Sequence, residues 1–221
     1  MPLKLYRLRG IFYNKPSEFS IFVLMKLWLP LLILFLFTGC ASVFTESEKT
    51  LIYQNPESPA RLITLKNPSD SLILRRRSVD IKNSRKNKDL PQLVKKLYLT
   101  MLAENGVGIA APQIGINRNI FLFYRLDLPE KSVEVAINPR IVSHSEELFC
   151  FRNDGCLSVP DQYGNSRRYA WVEVEYINQN GEKVRNRFNG GSRAEDYTGI
   201  IFQHEFDHIN GKLYIDRKCN E

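Results

Sequence analysis

Tyr197, Ile200, Ile201, Phe202, Phe206 and Ile209 surround the string Gln203-His204-Glu205-Phe206-Asp207-His208 near the C-terminal end of the chain. A helix over this stretch, from about Ala194 or Asp196 to Asn210 with Gly211 as its C-terminal cap, is apolar on nearly every side. Such a helix lies at the centre of a domain, so five polar side chains are carried into a core, where an unpaired polar group costs roughly 2–7 kcal/mol. Metal chemistry gives them a reason to be there. Residues four apart on a helix share a face with Cβ atoms about 5–6 Å apart, so His204 and His208 can bring two imidazoles to one ion while Glu205 projects beside it. These are two of only three histidines in the chain, which makes an accidental His-Glu-x-x-His less expected.

A catalytic site of this type needs a third protein ligand and an open position for water. The short stretch after His208 holds no further histidine, so the ligand comes from upstream. Cys156 is the candidate, within Asp154-Gly155-Cys156-Leu157-Ser158, where Gly155 permits a close backbone approach. A second local signal is Gly106-Val107-Gly108-Ile109-Ala110-Ala111-Pro112-Gln113. Its small residues let main chain come near a ligand, and the Gln113 amide can donate to a developing oxyanion.

The rest of the chain supplies the frame. Leu90, Leu93, Val94, Leu97, Tyr98, Met101 and Leu102 repeat at helical spacing, with Asp89 placed to cap the start and Asn105-Gly106 to end it. Ile120 to Tyr124 and Val133 to Ile137 read as strands. Trp171 to Ile177 alternates apolar with charged residues and leads through Gln179-Asn180-Gly181 into Val184 to Phe188, a hairpin with one wet face. The expected class is α+β, antiparallel sheet packed around a central C-terminal helix. At 221 residues there is room for one catalytic domain, 71–221, behind an N-terminal appendage.

That appendage runs from Met25-Lys26 through an apolar stretch, Leu27 to Phe37, to Thr38-Gly39-Cys40. Residues 1–43 are read as a signal or anchor segment in the style of a bacterial lipoprotein signal, with Met25 as a candidate start and Cys40 as the lipidation site. If translation starts earlier, Phe19 to Gly39 has about the length of a membrane-spanning helix. Residues 44–70, with Pro56, Pro59 and Pro68, are read as a polar tether. The four cysteines, Cys40, Cys150, Cys156 and Cys219, form no Cys-x-x-Cys pair, so no disulfide scaffold is expected. The net charge of +7 concentrates at Arg75-Arg76-Arg77, between Lys82 and Lys88, and at Lys95-Lys96. No aromatics interleave these residues, so direct nucleic-acid recognition is not expected; they read as a solvated face suited to docking on an anionic partner such as the ribosome.

Taken in order, Gly106-Val-Gly-Ile-Ala-Ala-Pro-Gln113, Gly155-Cys-Leu-Ser158 and Gln203-His-Glu-Phe-Asp-His208 resemble the three signature motifs of peptide deformylases, over about Leu72 to Lys218. The resemblance implies Cys156, His204 and His208 as metal ligands and Glu205 as catalytic acid/base. It implies Gln113 and the Leu157 N–H as holders of the formyl oxygen, Gly108 as a backbone contact to substrate, and Ile200 and Ile201 as part of a methionine pocket. The implied substrate is an N-formylmethionyl peptide and the implied ion Fe²⁺, although thiolate with two imidazoles also suits Zn²⁺, Ni²⁺ or Co²⁺. Two positions depart from the family pattern: Asp154 stands where Glu is more frequent, leaving Arg167 or Arg168 as partners for the shorter acid, and Tyr163 stands where Arg is common. Location conflicts with the resemblance. The family works in the cytoplasm, whereas a cleaved signal would carry the domain across a membrane, where Cys150 and Cys219 can oxidise. An exported member acting on other formylated or acylated peptides, and a membrane-tethered binder without turnover, are the alternatives.

Overall fold

The fold is described here from a computed structural model, over residues 44–220. The signal-type segment, Met25 and Cys40 lie outside the described residues. Four α-helices are present among the described residues: α1 (Glu46–Tyr53), α2 (Pro68–Leu74), α3 (Leu90–Ala103) and α4 (Thr198–Ile209). Seven strands accompany them: β1 (Gly108–Ala110), β2 (Ile120–Arg125), β3 (Ser132–His144), β4 (Leu148–Cys156), β5 (Val159–Tyr169), β6 (Trp171–Ile177) and β7 (Lys183–Asn189). Five form an antiparallel sheet in the order β1-β2-β3-β6-β7, and β4 pairs with β5 as a separate hairpin.

Strand β2 shows why the sheet is central. Ile120 and Leu122 join Leu93, Leu97 and Met101 of α3 in one core, while Phe121 and Phe123 join Phe202 of α4 in another. Both faces of β2 are covered, which is why its sequence is apolar throughout instead of alternating. Phe202 sits within rings, 4.9 Å from Phe121 and 5.3 Å from Phe123, centroid to centroid. On β6 the expected alternation holds: Val172, Val174 and Tyr176 are buried, and Glu173 and Glu175 meet Arg185 of β7 on the outer face.

Three boundaries differ from the sequence reading for local reasons. Strand β3 continues past Asn138-Pro139 because Asn138 adopts φ 51° at a register shift, a bulge that removes proline from the ladder. Helix α4 starts at Thr198, later than Ala194 or Asp196, because the Asp196 carboxylate accepts the Thr198 N–H at 2.9 Å and so satisfies an open amide of the first turn. Asp89 does not cap α3; its carboxylate accepts the Tyr53 hydroxyl at 2.8 Å instead. Asn105, in the left-handed region at φ 52°, ends that helix as expected. The β4–β5 hairpin was not expected at all. Two register shifts and the left-handed Asn153 and Asp161 break its period-2 pattern.

Residues 44–70, expected as a tether, pack onto the domain. Helix α1 opens on a capping box between Thr45 and Glu48, and Phe44 and Ile52 are buried. Lys96, expected on a solvated basic face, is buried too, its Nζ donating to the carbonyls of Gln54 and Asn55 at 2.6 Å and of Ser58 at 2.9 Å. Arg61 grips Asp70 through two hydrogen bonds, at 2.7 and 2.8 Å. Ile52→Ala is therefore expected to lower unfolding free energy in urea by about 2–5 kcal/mol, the cost of a core cavity. A loose tether predicts no change in the midpoint. A disulfide, Cys150 to Cys219, links β4 to the C-terminal tail, so the cysteines are not all independent. No helix among the described residues is long and apolar enough to cross a membrane.

Candidate active site

Helix α4, β1, the turn after it and the end of β4 converge on one cavity of about 470 Å³. Gly108, Gln113, Cys156, Leu157, Ile200, Ile201, His204 and Glu205 all line it. His208 does not; it lies behind the cavity wall, 1% exposed. The helix brings the two imidazoles together, ring centroids 5.1 Å apart, and β4 brings in the thiol, whose Sγ is 3.2 Å from His208 Nε2. One ligating atom each from Cys156, His204 and His208 lies within 4.8 Å of the others. A soft sulfur with two ring nitrogens, gathered at this spacing, fits a divalent transition metal.

The remaining nitrogen of His204 is held in place. Its Nδ1 lies 3.1 Å from Asp154 Oδ1, which turns Nε2 toward the thiol. Asp154 is buried and accepts from Ser166 Oγ at 2.5 Å and Arg168 Nη2 at 2.8 Å. Arg168 reaches on to Asp207 at 2.6 Å, and Arg217 closes the network with two bonds to the same carboxylate. Of the two arginines named for the shorter acid, Arg168 is the partner. Burial works to raise the Asp154 carboxyl, but His204 and Arg168 hold it well below the usual carboxylate range. Burial would lower His204, yet Asp154 and the Cys156 thiol raise it well above its ordinary value. Burial and the charges on His204 and Arg168 hold His208 well below its own.

Glu205 is buried beside these groups, and burial pushes its carboxyl up to about 7. Among the described residues nothing hydrogen-bonds to its Oε2, which is unusual for a buried polar atom. Gly108 makes this position accessible: a Cβ there would stand 2.5 Å from Glu205 Oε1. Gly108→Ala is expected to displace the carboxylate and lower kcat/KM about a hundredfold while metal content stays at one ion per chain. Metal analysis beside initial rates checks this; unchanged rates would mean the carboxylate has room to spare.

The Gln113 amide is oriented from behind. Its Oε1 accepts the Ala110 N–H at 2.8 Å, so Nε2 points to Ser158 Oγ at 3.4 Å and Cys156 Sγ at 4.0 Å. Sequence reading missed the outer wall, where Phe151 and Tyr197 stack at 6.1 Å under the Arg193 guanidinium. No motif marks that wall, since its parts come from β4 and the loop before α4.

The model of the family described as polypeptide deformylase matches residues 59–221. The chain belongs to the polypeptide deformylase family. A peptide deformylase of Chloroflexus aurantiacus is 39% identical over 169 residues, spanning 71% of this chain and 86% of that protein. One from Pseudothermotoga lettingae is 38% identical over 144 residues, 65% of this chain and 76% of the relative. Among solved structures, a Met-Ala-Ser-bound class I type b peptide deformylase from Acinetobacter baumannii superposes with a TM-score of 0.62 at 31% identity, over 73% of this chain and 99% of that one. The antiparallel α+β deformylase fold is thus the fold of this chain, and deformylation, the hydrolytic removal of a formyl group from a peptide N-terminus, is its chemistry.

Proposed function

We propose that Cys156, His204 and His208 hold one divalent ion, with Glu205 moving the protons and Gln113 and the Leu157 N–H receiving the formyl oxygen of an N-formylmethionyl peptide. The observation that carries this is the convergence of Sγ and two ring nitrogens beside a buried, unpartnered carboxylate oxygen. Among the described residues nothing pairs with His208 Nδ1, and the ring's other nitrogen faces the Cys156 thiol. Fe²⁺ is the favoured ion, and Zn²⁺, Ni²⁺ and Co²⁺ suit the same donors. When bound, the ion supplies Lewis acidity, lowering the pKa of water and polarising the carbonyl.

The chain's own groups do the rest. Glu205 takes a proton from the water whose oxygen adds to the formyl carbon. As charge builds on the formyl oxygen, the Gln113 Nε2 donates to it from a position fixed before reaction by the Ala110 N–H. The C–N bond breaks, and Glu205 returns its proton to the departing amine, leaving formate and a free N-terminus. A carboxyl near 7 is matched to both transfers at neutral pH. Gly108 offers its backbone to the peptide, and Ile200 and Ile201 give the cavity an apolar end for the methionine side chain. Formate release from formyl-Met-Ala-Ser by the Fe²⁺- or Zn²⁺-loaded protein tests the proposal; a loaded protein that releases none is a binder, not an enzyme.

A second reading concerns location. The Cys150–Cys219 disulfide supports an oxidising compartment, and the apolar run ending at Cys40 supports delivery there as a membrane-anchored protein. In that setting the substrates are formylated or acylated peptides outside the cytoplasm; in the cytoplasm they are nascent chains, with the basic surface available to the ribosome. Cell fractionation, fatty-acid labelling at Cys40 and alkylation of Cys150 before lysis separate the two. A free, alkylated Cys150 with unlabelled Cys40 would place the domain with the nascent chains.

A further inference from the structure

Tyr163, on β5, is 80% exposed but lies against the opposite strand. It pairs across the hairpin with Gly155, and its ring edge lies against that residue: a Cβ at Gly155 would stand 2.7 Å from both Cδ1 and Cε1. Only a glycine leaves room for this approach. Gly155 immediately precedes Cys156, and both Gly155 and Tyr163 line the catalytic cavity. An aromatic side chain thereby lines the cavity opposite the residue that precedes the thiol.

Two charged groups at this mouth are engaged. Asp161 accepts Lys66 Nζ at 2.6 Å. Arg193 lies 5.2 Å from the Phe151 ring centroid and donates to the Asn153 carbonyl at 2.9 Å. No ring or cation among the described residues stacks on Tyr163. Cross-strand cover of a glycine accounts for the inner edge of the ring, but it leaves a large open π face beside the cavity.

Resting on the deformylase reading, we propose that Tyr163 is a specificity-determining residue that stacks with an aromatic side chain carried one or two positions after the formylmethionine. Ile200, Ile201 and Tyr163 line the same cavity, so a peptide whose first side chain is seated against the isoleucines has Tyr163 within reach of the residues that follow. Aromatic pairs favour contact enough to change a specificity ratio about three- to tenfold.

The experiment measures kcat/KM for formate release from formyl-Met-Ala-Ala, formyl-Met-Phe-Ala and formyl-Met-Ala-Phe, using the full metal-loaded chain and its Tyr163→Ala and Tyr163→Phe variants. Phenylalanine at one of the two positions is expected to raise kcat/KM of the parent about three- to tenfold, mainly through KM. Tyr163→Phe should keep that ratio, and Tyr163→Ala should bring it near one. A ratio near one in the parent overturns the proposal without any variant having to fold. So does a uniform loss across all three peptides in Tyr163→Ala, which is the mark of a structural role. Formate from every peptide with a flat ratio refutes only this inference; no formate from any of them refutes the deformylase reading beneath it.

Discussion

Glu205→Gln is expected to keep its metal and lose about 10²- to 10⁴-fold in kcat, the usual contribution of a positioned acid/base. The amide is nearly isosteric, so Gly108 and the helix around it need not move, and Cys156, His204 and His208 keep their placement. What disappears is the proton carrier. Metal content by elemental analysis and single-turnover formate release separate the two effects. A variant that binds metal and turns over at the parental rate would remove Glu205 from the reaction.

Arg168→Met should show the largest effect on stability. Arg168 is 1% exposed and stands between two buried carboxylates, Asp154 and Asp207. Removing the guanidinium while keeping the volume leaves both acids without their shared partner, although Arg217 still reaches Asp207. Breaking a buried pair from one side costs about 3–5 kcal/mol, which at a urea slope of about 1–3 kcal/mol/M moves the midpoint by 1 M or more. Metal affinity should fall about 10- to 100-fold as well, because Asp154 no longer holds His204 in one orientation. A midpoint within a few tenths molar of the parent would show that water reaches these acids and carries the role assigned to Arg168.

What the sequence disclosed depended on periodicity surviving in it. The spacing of Leu93, Leu97 and Met101 and the alternation of Val172, Val174 and Tyr176 are direct records of buried faces, and both elements lie where that pattern puts them. The histidines of α4 were legible for the same reason, since helix geometry alone brings positions 204 and 208 together. The β4–β5 hairpin left no such record, because its bulges at Asn153 and Asp161 shift the register midway. Residues 44–70 misled in the other direction: their prolines and polar side chains read as a tether, while the Lys96 ammonium and the Arg61–Asp70 pair satisfy their polar atoms and the scattered Phe44 and Ile52 are buried with no periodic pattern to announce it. The ion network behind His204 was half visible. Asp154 announced a need for a cation, but only the fold decides that Arg168 and not Arg167 turns inward.

The thiol arrives from a strand and the imidazoles from a helix, with Cys156 and His208 52 positions apart in the chain. An ion held by both therefore acts as a clasp between the hairpin and the rest of the molecule, and it binds only after the two have docked. Chelation should then do more than silence the enzyme. By mass action it withdraws about 2.7 kcal/mol at an ion concentration a hundred times the dissociation constant, so thermal resistance should follow the supply of metal as closely as turnover does.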